Sequence, residues 1–400
     1  MLLHEAYLSE TKNKKRVVCY TIKYRIGVRE EITYIMISIA APVIEEEERR
    51  AVNEVIESGM LAQGPKVAEL EKNWAEYCGV KHALAVNSGT AAIHCALYAA
   101  GVKEGDEVVT TPYSFIATIN PILMLGARPV LVDIDEETFN IDVSKIEAAI
   151  TEKTKAIVPV DLYGQPCDWA ELQKIAQKHD LKIVEDACQA IGAEYQGIKA
   201  GALGDFGCFS LYATKNIMCG EGGVVTTNSD EAAAAIRSFR QHGMVAPYEY
   251  ADLGYNYRMS DLHGAIAIEQ LKKVEYFTKK RQENAHKLND ALAGVAGIKT
   301  PTVSDNRNHV YHQYTILLNK GMQRDQFIAS LRDKGVGAGI YYPKPLHIYP
   351  HIAKLGYKVG DFPVAEDLAA RVVSLPVHPK VTDEDIEVIV AAIKESINGQ

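Results

Sequence analysis

Lys215 stands in Ser210-Leu-Tyr-Ala-Thr-Lys215-Asn216, and a glycine-rich turn, Gly220-Glu-Gly-Gly223, follows closely. An amine that must reach a carbonyl carbon, form an imine and then swing aside needs close backbone approach and room to move. Upstream, the apolar run Lys182-Ile-Val-Glu-Asp186 ends in a carboxylate. A carboxylate beside a pyridine nitrogen keeps that nitrogen protonated, and the ring then accepts electrons from a carbanion next to the imine. Lys215 and Asp186 therefore read as the reactive pair of a pyridoxal phosphate (PLP) site, with Lys215 as the Schiff-base residue and Asp186 as partner of the ring nitrogen.

Four further groups fit that chemistry. Asn87-Ser88-Gly89-Thr90-Ala91 follows an apolar run and opens a helical pattern. The N–H groups of a first helical turn and the helix dipole suit a phosphate, Gly89 permits close approach, and the Ser88 and Thr90 hydroxyls add donors. The competing reading of Ser88 or Thr90 is a plain helix cap. Phe115, in Thr111-Pro-Tyr-Ser-Phe-Ile-Ala-Thr118, is placed to stack on a flat ring or to serve as core. Gln189, three residues past Asp186, is a hydrogen-bond partner for a ring hydroxyl or another cap. Ser210, five residues before Lys215, offers a hydroxyl to the phosphate.

Something must hold these groups at one place. Strand-like runs at 82–86, 107–111, 129–133, 156–160 and 182–185 alternate with helical patterns at 90–100, 113–125, 143–150 and 169–179. Such alternation predicts an α/β fold with a mostly parallel sheet. Ligands in such sheets bind at the carboxyl ends of the strands, where Asn87–Thr90, Thr111–Tyr113, Asp161–Tyr163 and Asp186 fall. Helices are predicted at 44–58 and 67–77, each stopped by a glycine, and long ones over 261–293. Beyond Lys299 the pattern changes to a smaller α+β unit, with strand 314–318 and helices 324–334 and 383–398. The expected domains are a large unit over 36–290 and a small C-terminal one over 291–400. Residues 1–35 are expected to be an extension outside the functional protein, which would begin near the strand-like Met36-Ile-Ser-Ile; an ordinary N-terminal arm is the alternative.

Of the 400 residues, 47% are hydrophobic, enough for a large core. The net charge of −9 argues against a broad nucleic-acid-binding surface. Seven scattered cysteines without a C-x-x-C pair fit reduced thiols in the cytoplasm, and neither a disulfide framework nor a metal site is expected. No apolar stretch is long enough for a membrane span.

Taken in order, the motifs resemble the DegT/StrS (DegT/DnrJ) family of sugar aminotransferases, within the fold-type I PLP-dependent transferases. The resemblance runs from about Met36 to the C-terminus. It rests on Ser58-Gly-Met-Leu-Ala-Gln-Gly-Pro65, the 87–92 and 111–118 segments, Val160-Asp-Leu-Tyr-Gly-Gln165 and Val184-Glu-Asp-Ala-Cys-Gln-Ala190. It continues through the 210–216 and 220–223 segments, Gly254-Tyr-Asn-Tyr-Arg-Met-Ser260 and Ser374-Leu-Pro376. The resemblance implies a large domain with a seven-stranded sheet. It implies that Lys215 holds PLP and shuttles protons, that Asp186 pairs with the pyridinium and Gln189 with the ring hydroxyl, and that Phe115 stacks on the ring. Thr90, Ala91 (through its backbone) and Ser210 would bind the phosphate. Asn256, or its neighbour Arg258, would reach the phosphate of the other subunit's cofactor, which implies a homodimer with shared active sites. On residues alone, Gly254–Ser260 reads as a turn and a helix cap.

The implied reaction is a ping-pong transamination from L-glutamate to a nucleotide-linked keto-sugar. The glycine-rich segment after the lysine is more similar to the branch aminating sugar C4 than C3, which favours a 4-keto-6-deoxyhexose; C3 amination is the nearest alternative. His312, Tyr342 and His347 occupy segments near the family's substrate pocket, and Arg240 and His242 are similarly placed. Lys279-Lys-Arg281 reads as a solvated helix face or a diphosphate contact. The rival outside catalysis is a PLP-fold regulatory protein; intact Lys215, Asp186 and Thr90 weigh against it. Another PLP reaction on the same scaffold is a third reading.

Overall fold

The computed structural model describes residues 36–399 and the backbone of two short strands, Ala6–Ser9 and Val17–Tyr20, which pair antiparallel. The expectation for residues 1–35 thus lies almost wholly outside the described residues. A seven-stranded sheet forms the centre. Its strands are β1 (His82–Val86), β2 (Glu107–Thr110), β3 (Arg128–Leu131), β4 (Thr154–Val158), β5 (Lys182–Asp186), β6 (Phe206–Ser210) and β7 (Gly223–Thr227). They lie in the order β1-β7-β6-β5-β4-β2-β3. Only β7 runs against the rest, pairing antiparallel with β6 and β1. The sheet is mostly parallel, as its strand–helix alternation predicts.

Helices cover both faces, so the central strands are buried on both sides and nearly continuous in apolar residues. On one face lies α2 (Gly89–Ala99), taking α1 as Pro65–Cys78. Its Ala91, Ala92 and Ala96 are small enough to bring the helix close over Val86, Val184, Cys208 and Val225. On the other face, Leu70 and Trp74 of α1 pack with Ala85, Phe209 and Val224. Beside them α3 (Trp169–His179) buries Trp169, Leu172 and Ile175 against Ile157 and Ile183.

The C-terminal region builds a second sheet from β8 (Ile298–Lys299), β9 (Tyr314–Leu318) and β10 (Val372–Leu375), antiparallel in that order. Helices Arg324–Asp333 and Asp383–Asn398 supply Phe327, Leu331, Ile389 and Ile393 to its core. Helix Val274–Leu292 joins the two regions: Val274 and Phe277 pack beside the large sheet, whereas Ala285, Leu288 and Leu292 pack in the C-terminal core. The expected strand at Met36 is a single bridge, Ile37 to Val336, laid on the C-terminal region.

The long helix expected over 113–125 is not formed. A 3-10 turn (Ile116–Thr118) and a short helix (Asn120–Met124) stand there instead. Pro121 has no N–H for an upstream carbonyl and sits where proline is tolerated, in the first turn of the second piece. The break leaves Phe115 in an extended conformation ahead of the turn. No helix among the described residues is long and apolar enough to cross a membrane.

Candidate active site

At one edge of the sheet the carboxyl ends of β1, β5 and β6 meet the start of β7. Gly223, first in β7, is paired with both Val86 and Ser210. A Cβ at Gly223 would sit 2.3 Å from the Ser88 carbonyl oxygen, and one at Gly89 would sit 2.8 Å from Ser210 Cβ and 3.0 Å from Cys188 Sγ. The glycines therefore let three segments converge to van der Waals distance, and Gly220 adds a left-handed turn at φ 94°. Into this junction points the N-terminus of α2. Ser88 is its cap: its Oγ accepts from Ala91 N at 3.1 Å. The first-turn N–H groups of Gly89 and Thr90 lie where a helix has no carbonyls of its own to offer them, and Thr90 is half-exposed. Of the two readings of Ser88, the structure shows the cap.

Asp186 closes β5 and is buried. Thr118 Oγ1 donates to its Oδ2 at 2.7 Å, Cys188 N donates to its Oδ1 at 3.2 Å, and Ser114 lies 2.8 Å behind Thr118. Thr118 sits inside the 111–118 segment but went unmarked in the sequence, because a threonine at a turn has no periodicity to betray it. Phe115 is 55% exposed, so it presents its ring instead of serving as core. Tyr342 faces it with ring centroids 6.0 Å apart. Gln189 links the two sides: its Oε1 accepts from Tyr163 N at 2.9 Å and its Nε2 donates to the Tyr342 hydroxyl at 3.2 Å.

Lys215 lies on the loop between β6 and β7, half-buried. Burial away from water pushes its ammonium below the usual lysine range, while Cys188 and Asp186 pull the other way. A lowered lysine pKa leaves more free amine to attack a carbonyl. The next residue, Asn216, donates through Nδ2 to Val310 O at 3.1 Å, leaving its Oδ1 to accept from His312 Nδ1 at 3.1 Å. Burial, and then the charges of Lys215 and Arg281, hold His312 well below the usual histidine range. His312 is therefore a neutral imidazole with its proton on Nδ1 beside the lysine loop.

Not every candidate converges here. His347 is wholly buried, bonded to Glu366 at 2.9 Å and packed edge-on to Phe362. It is part of the fold of its own loop. Arg240 is buried between α1 and β1, pairing with Glu71 and donating to Ala85 O at 2.6 Å. His242 lies in the left-handed region at φ 62°, its N–H donated to Tyr255 O. Arg281 is no solvated face: it is buried and donates to Tyr311 O at 3.0 Å, tying down the segment that carries His312. Helical periodicity places Arg281 beside Phe277 and Ala285, the inward side, which a charge-based reading overrides. Asn256 and Arg258 run along the outer edge of β1, where Asn87 bonds to Tyr257 O at 2.8 Å and Asn256 O at 3.2 Å. Asn256 is exposed and Arg258 half-exposed.

These residues fit pyridoxal phosphate. The backbone cradle left open by Gly89 suits an anion, an exposed aromatic and a strand-end carboxylate suit a flat cationic ring, and the amine of lowered pKa suits its aldehyde.

The comparisons with known proteins agree. Residues 42–394 match the DegT/DnrJ/EryC1/StrS aminotransferase family. The chain is 40% identical over 365 residues to a GDP-perosamine synthase of Caulobacter vibrioides, covering 90% of this chain and 98% of the relative. Among solved structures, DesV of S. venezuelae superposes with a TM-score of 0.85 at 34% identity, covering 87% of this chain and 94% of that one. Helicobacter pylori PseC, an aminotransferase involved in the biosynthesis of pseudoaminic acid, superposes with a TM-score of 0.87 at 31% identity, covering 91% and 100%. The chain belongs to the DegT/DnrJ/EryC1/StrS family of sugar aminotransferases, and its catalysis depends on pyridoxal phosphate.

Proposed function

We propose that this enzyme moves an amine from L-glutamate to a nucleotide-linked keto-sugar, a 4-keto-6-deoxyhexose, in a ping-pong cycle. The observation behind the proposal is the single lysine of lowered pKa set between a strand-end carboxylate and a helix N-terminus. When bound, pyridoxal phosphate supplies an electron sink and stores the amine between the two half-reactions.

The chain's own residues do the rest. Thr118 and the Cys188 N–H orient the Asp186 carboxylate, which holds a proton on the ring nitrogen. Lys215 Nζ takes a proton from the donor's α-carbon and returns one at the sugar carbon, acting as base and then acid. The first-turn N–H groups of Gly89 and Thr90 would bind the phosphate, with Ser210 beside them and the Ala91 N–H held by Ser88. Phe115 would cover one ring face, and Gln189, whose Nε2 donates to the Tyr342 hydroxyl, would meet the ring hydroxyl. Neutral His312 and Tyr342 line the substrate side. Asn256 or Arg258, on the edge of β1, would complete the site of a second copy, giving a homodimer. A relative named for making GDP-perosamine supports a nucleotide-linked sugar as acceptor.

The test is the visible spectrum of the PLP-loaded protein on adding L-glutamate. Bleaching of the lysine-bound cofactor's band, followed by its return with one member of a panel of 4-keto and 3-keto nucleotide sugars, supports the proposal and names the acceptor. A band that ignores glutamate overturns the donor assignment.

A further inference from the structure

Behind the site, on the opposite face of the sheet, two carboxyl groups are buried against one another. Successive residues of a strand face opposite ways, so Glu185 points away from the face that Asp186 serves. Glu185 and Asp161 are both fully buried, and each acts electrostatically on the other. Two carboxyl groups buried side by side away from water and without a cation cannot both ionise, so one proton stays with the pair. Every other neighbour is a donor to the pair. Both Glu185 oxygens accept from Gly201 N at 2.8 Å, with Leu203 N also bonded. Asp161 Oδ1 accepts from Cys167 N at 2.8 Å and Trp169 Nε1 at 3.3 Å. Asp161 Oδ2 is buried with no partner other than the one a shared proton would supply.

The surroundings offer no substitute for that proton. Cys78 on α1 and Cys167 neighbour the pair, and burial holds both thiols above their ordinary range, hence neutral. Arg307 pairs with Asp168 and Lys199 with Glu275, so neither cation is a partner of the pair. Burial and the neighbouring Asp161 charge raise Glu185 well above the usual carboxylate range, and burial raises Asp161 to about 6.

The pair is also wired to the cofactor side. Asp161 N donates to Asp186 O at 3.2 Å, and Asp186 N donates to Pro159 O at 2.9 Å. Two residues past Asp161, Tyr163 N holds Gln189. Both ring-facing groups therefore hang on the segment that the pair locks to β5.

We propose that Asp161 and Glu185 form a one-proton carboxyl pair that positions Asp186 and Gln189 under the cofactor ring. They are positioning residues, acting through the backbone of β5 and the 159–163 segment. The proposal rests on Asp186 as the partner of the ring nitrogen.

The test uses the PLP-loaded wild type with Glu185→Gln, Glu185→Ala and Asp186→Asn. Denaturant unfolding and cofactor affinity by equilibrium dialysis are followed from about pH 6.5 to about pH 8.5. The sign is fixed by the raised pKa. The folded state keeps a proton that the unfolded glutamate has already lost, so stability falls as pH rises until Glu185 ionises. That adds about a tenfold rise in the unfolding constant per pH unit in the wild type. Glutamine keeps a donor toward Asp161 and the charge of the singly protonated pair. Glu185→Gln should therefore lose that part of the slope and bind PLP within about threefold of wild type at neutral pH. Glu185→Ala leaves Asp161 unpaired and should bind PLP at least about tenfold more weakly, with a displaced visible band. A Glu185→Gln variant with the wild-type slope overturns the shared proton. A folded Glu185→Ala variant with wild-type affinity and band overturns the positioning role. If Asp186→Asn also behaves as wild type, the ring-nitrogen assignment has failed instead, and the slope of Glu185→Gln still judges the pair.

Discussion

In the proposed site, the phosphate side and the ring side are built from different materials. The phosphate side is backbone: Gly89, Gly223 and the first turn of α2, packed so closely that a single methyl group has no place. The ring side is side chains: Asp186, Thr118, Lys215 and Gln189, each held by one or two hydrogen bonds or by burial. Backbone donors keep their charge at every pH and cannot be retuned without moving the chain. Side chains can be tuned by their neighbours, and the ring side is where the proposed proton transfer takes place. An anion that stays put is met by the fixed half, and a reaction centre whose charge changes is met by the adjustable half.

The comparison breaks first at Lys215. Lys215→Ala should keep its fold, with an unchanged far-UV spectrum, yet lose about a hundred- to ten-thousand-fold or more in turnover together with the visible band. Normal transamination by that variant would remove the ring side from the mechanism altogether. Next is Gly223→Ala. Its Cβ would meet the Ser88 carbonyl at 2.3 Å, a backbone contact that cannot rotate away. We expect a loss of about 3 kcal/mol, the upper end for overpacking, seen in the unfolding midpoint and as weakened PLP binding. Thr118→Val should cost less, about 1–2 kcal/mol, because it removes one donor to Asp186 and conserves volume. Its effect should be a shifted visible band, a lower kcat and an unfolding midpoint lowered by less than in Gly223→Ala. If Thr118→Val instead destabilised the fold as Gly223→Ala does, the division into a fixed and an adjustable half would fail.

The two halves also differ in how far their sequence announces them. The strands at 82–86 and 314–318 and the helices at 169–179 and 383–398 agree residue for residue with hydrophobic period and capping. Asp186 is legible because a carboxylate is unusual at the end of an apolar strand, and Lys215 and Gly89 because a glycine-rich turn and a helix start stand beside them. Asp161 and Glu185 are not: in a linear reading, one is a loop carboxylate and the other an interior residue of a strand. Their proposed role comes only from burial against each other, which joins β5 to the segment after β4 and which no local pattern encodes. Arg281 and His347 fail for the converse reason. Charge and imidazole suggest solvent or ligand, but tertiary packing encloses both. The 113–125 break is legible in hindsight from Pro121, whose missing N–H outweighs the apolar periodicity around it.

Ser88 gives the smallest expected effect and the sharpest use of the comparison. Its hydroxyl either caps α2 or binds the phosphate, and the geometry has it accepting from Ala91 N at 3.1 Å. An N-cap acts on the helix whether or not a ligand is bound. Ser88→Ala should therefore lower the stability of the cofactor-free and cofactor-loaded proteins equally, by about 1 kcal/mol. PLP affinity would then change little, since both states lose the same amount. A hydroxyl that donated to the phosphate would act on the loaded state alone, and the whole loss would appear in the dissociation constant. Measuring both quantities on the one variant therefore decides whether the fixed half is backbone throughout. An affinity loss without a matching stability loss in the cofactor-free protein would add a side chain to it.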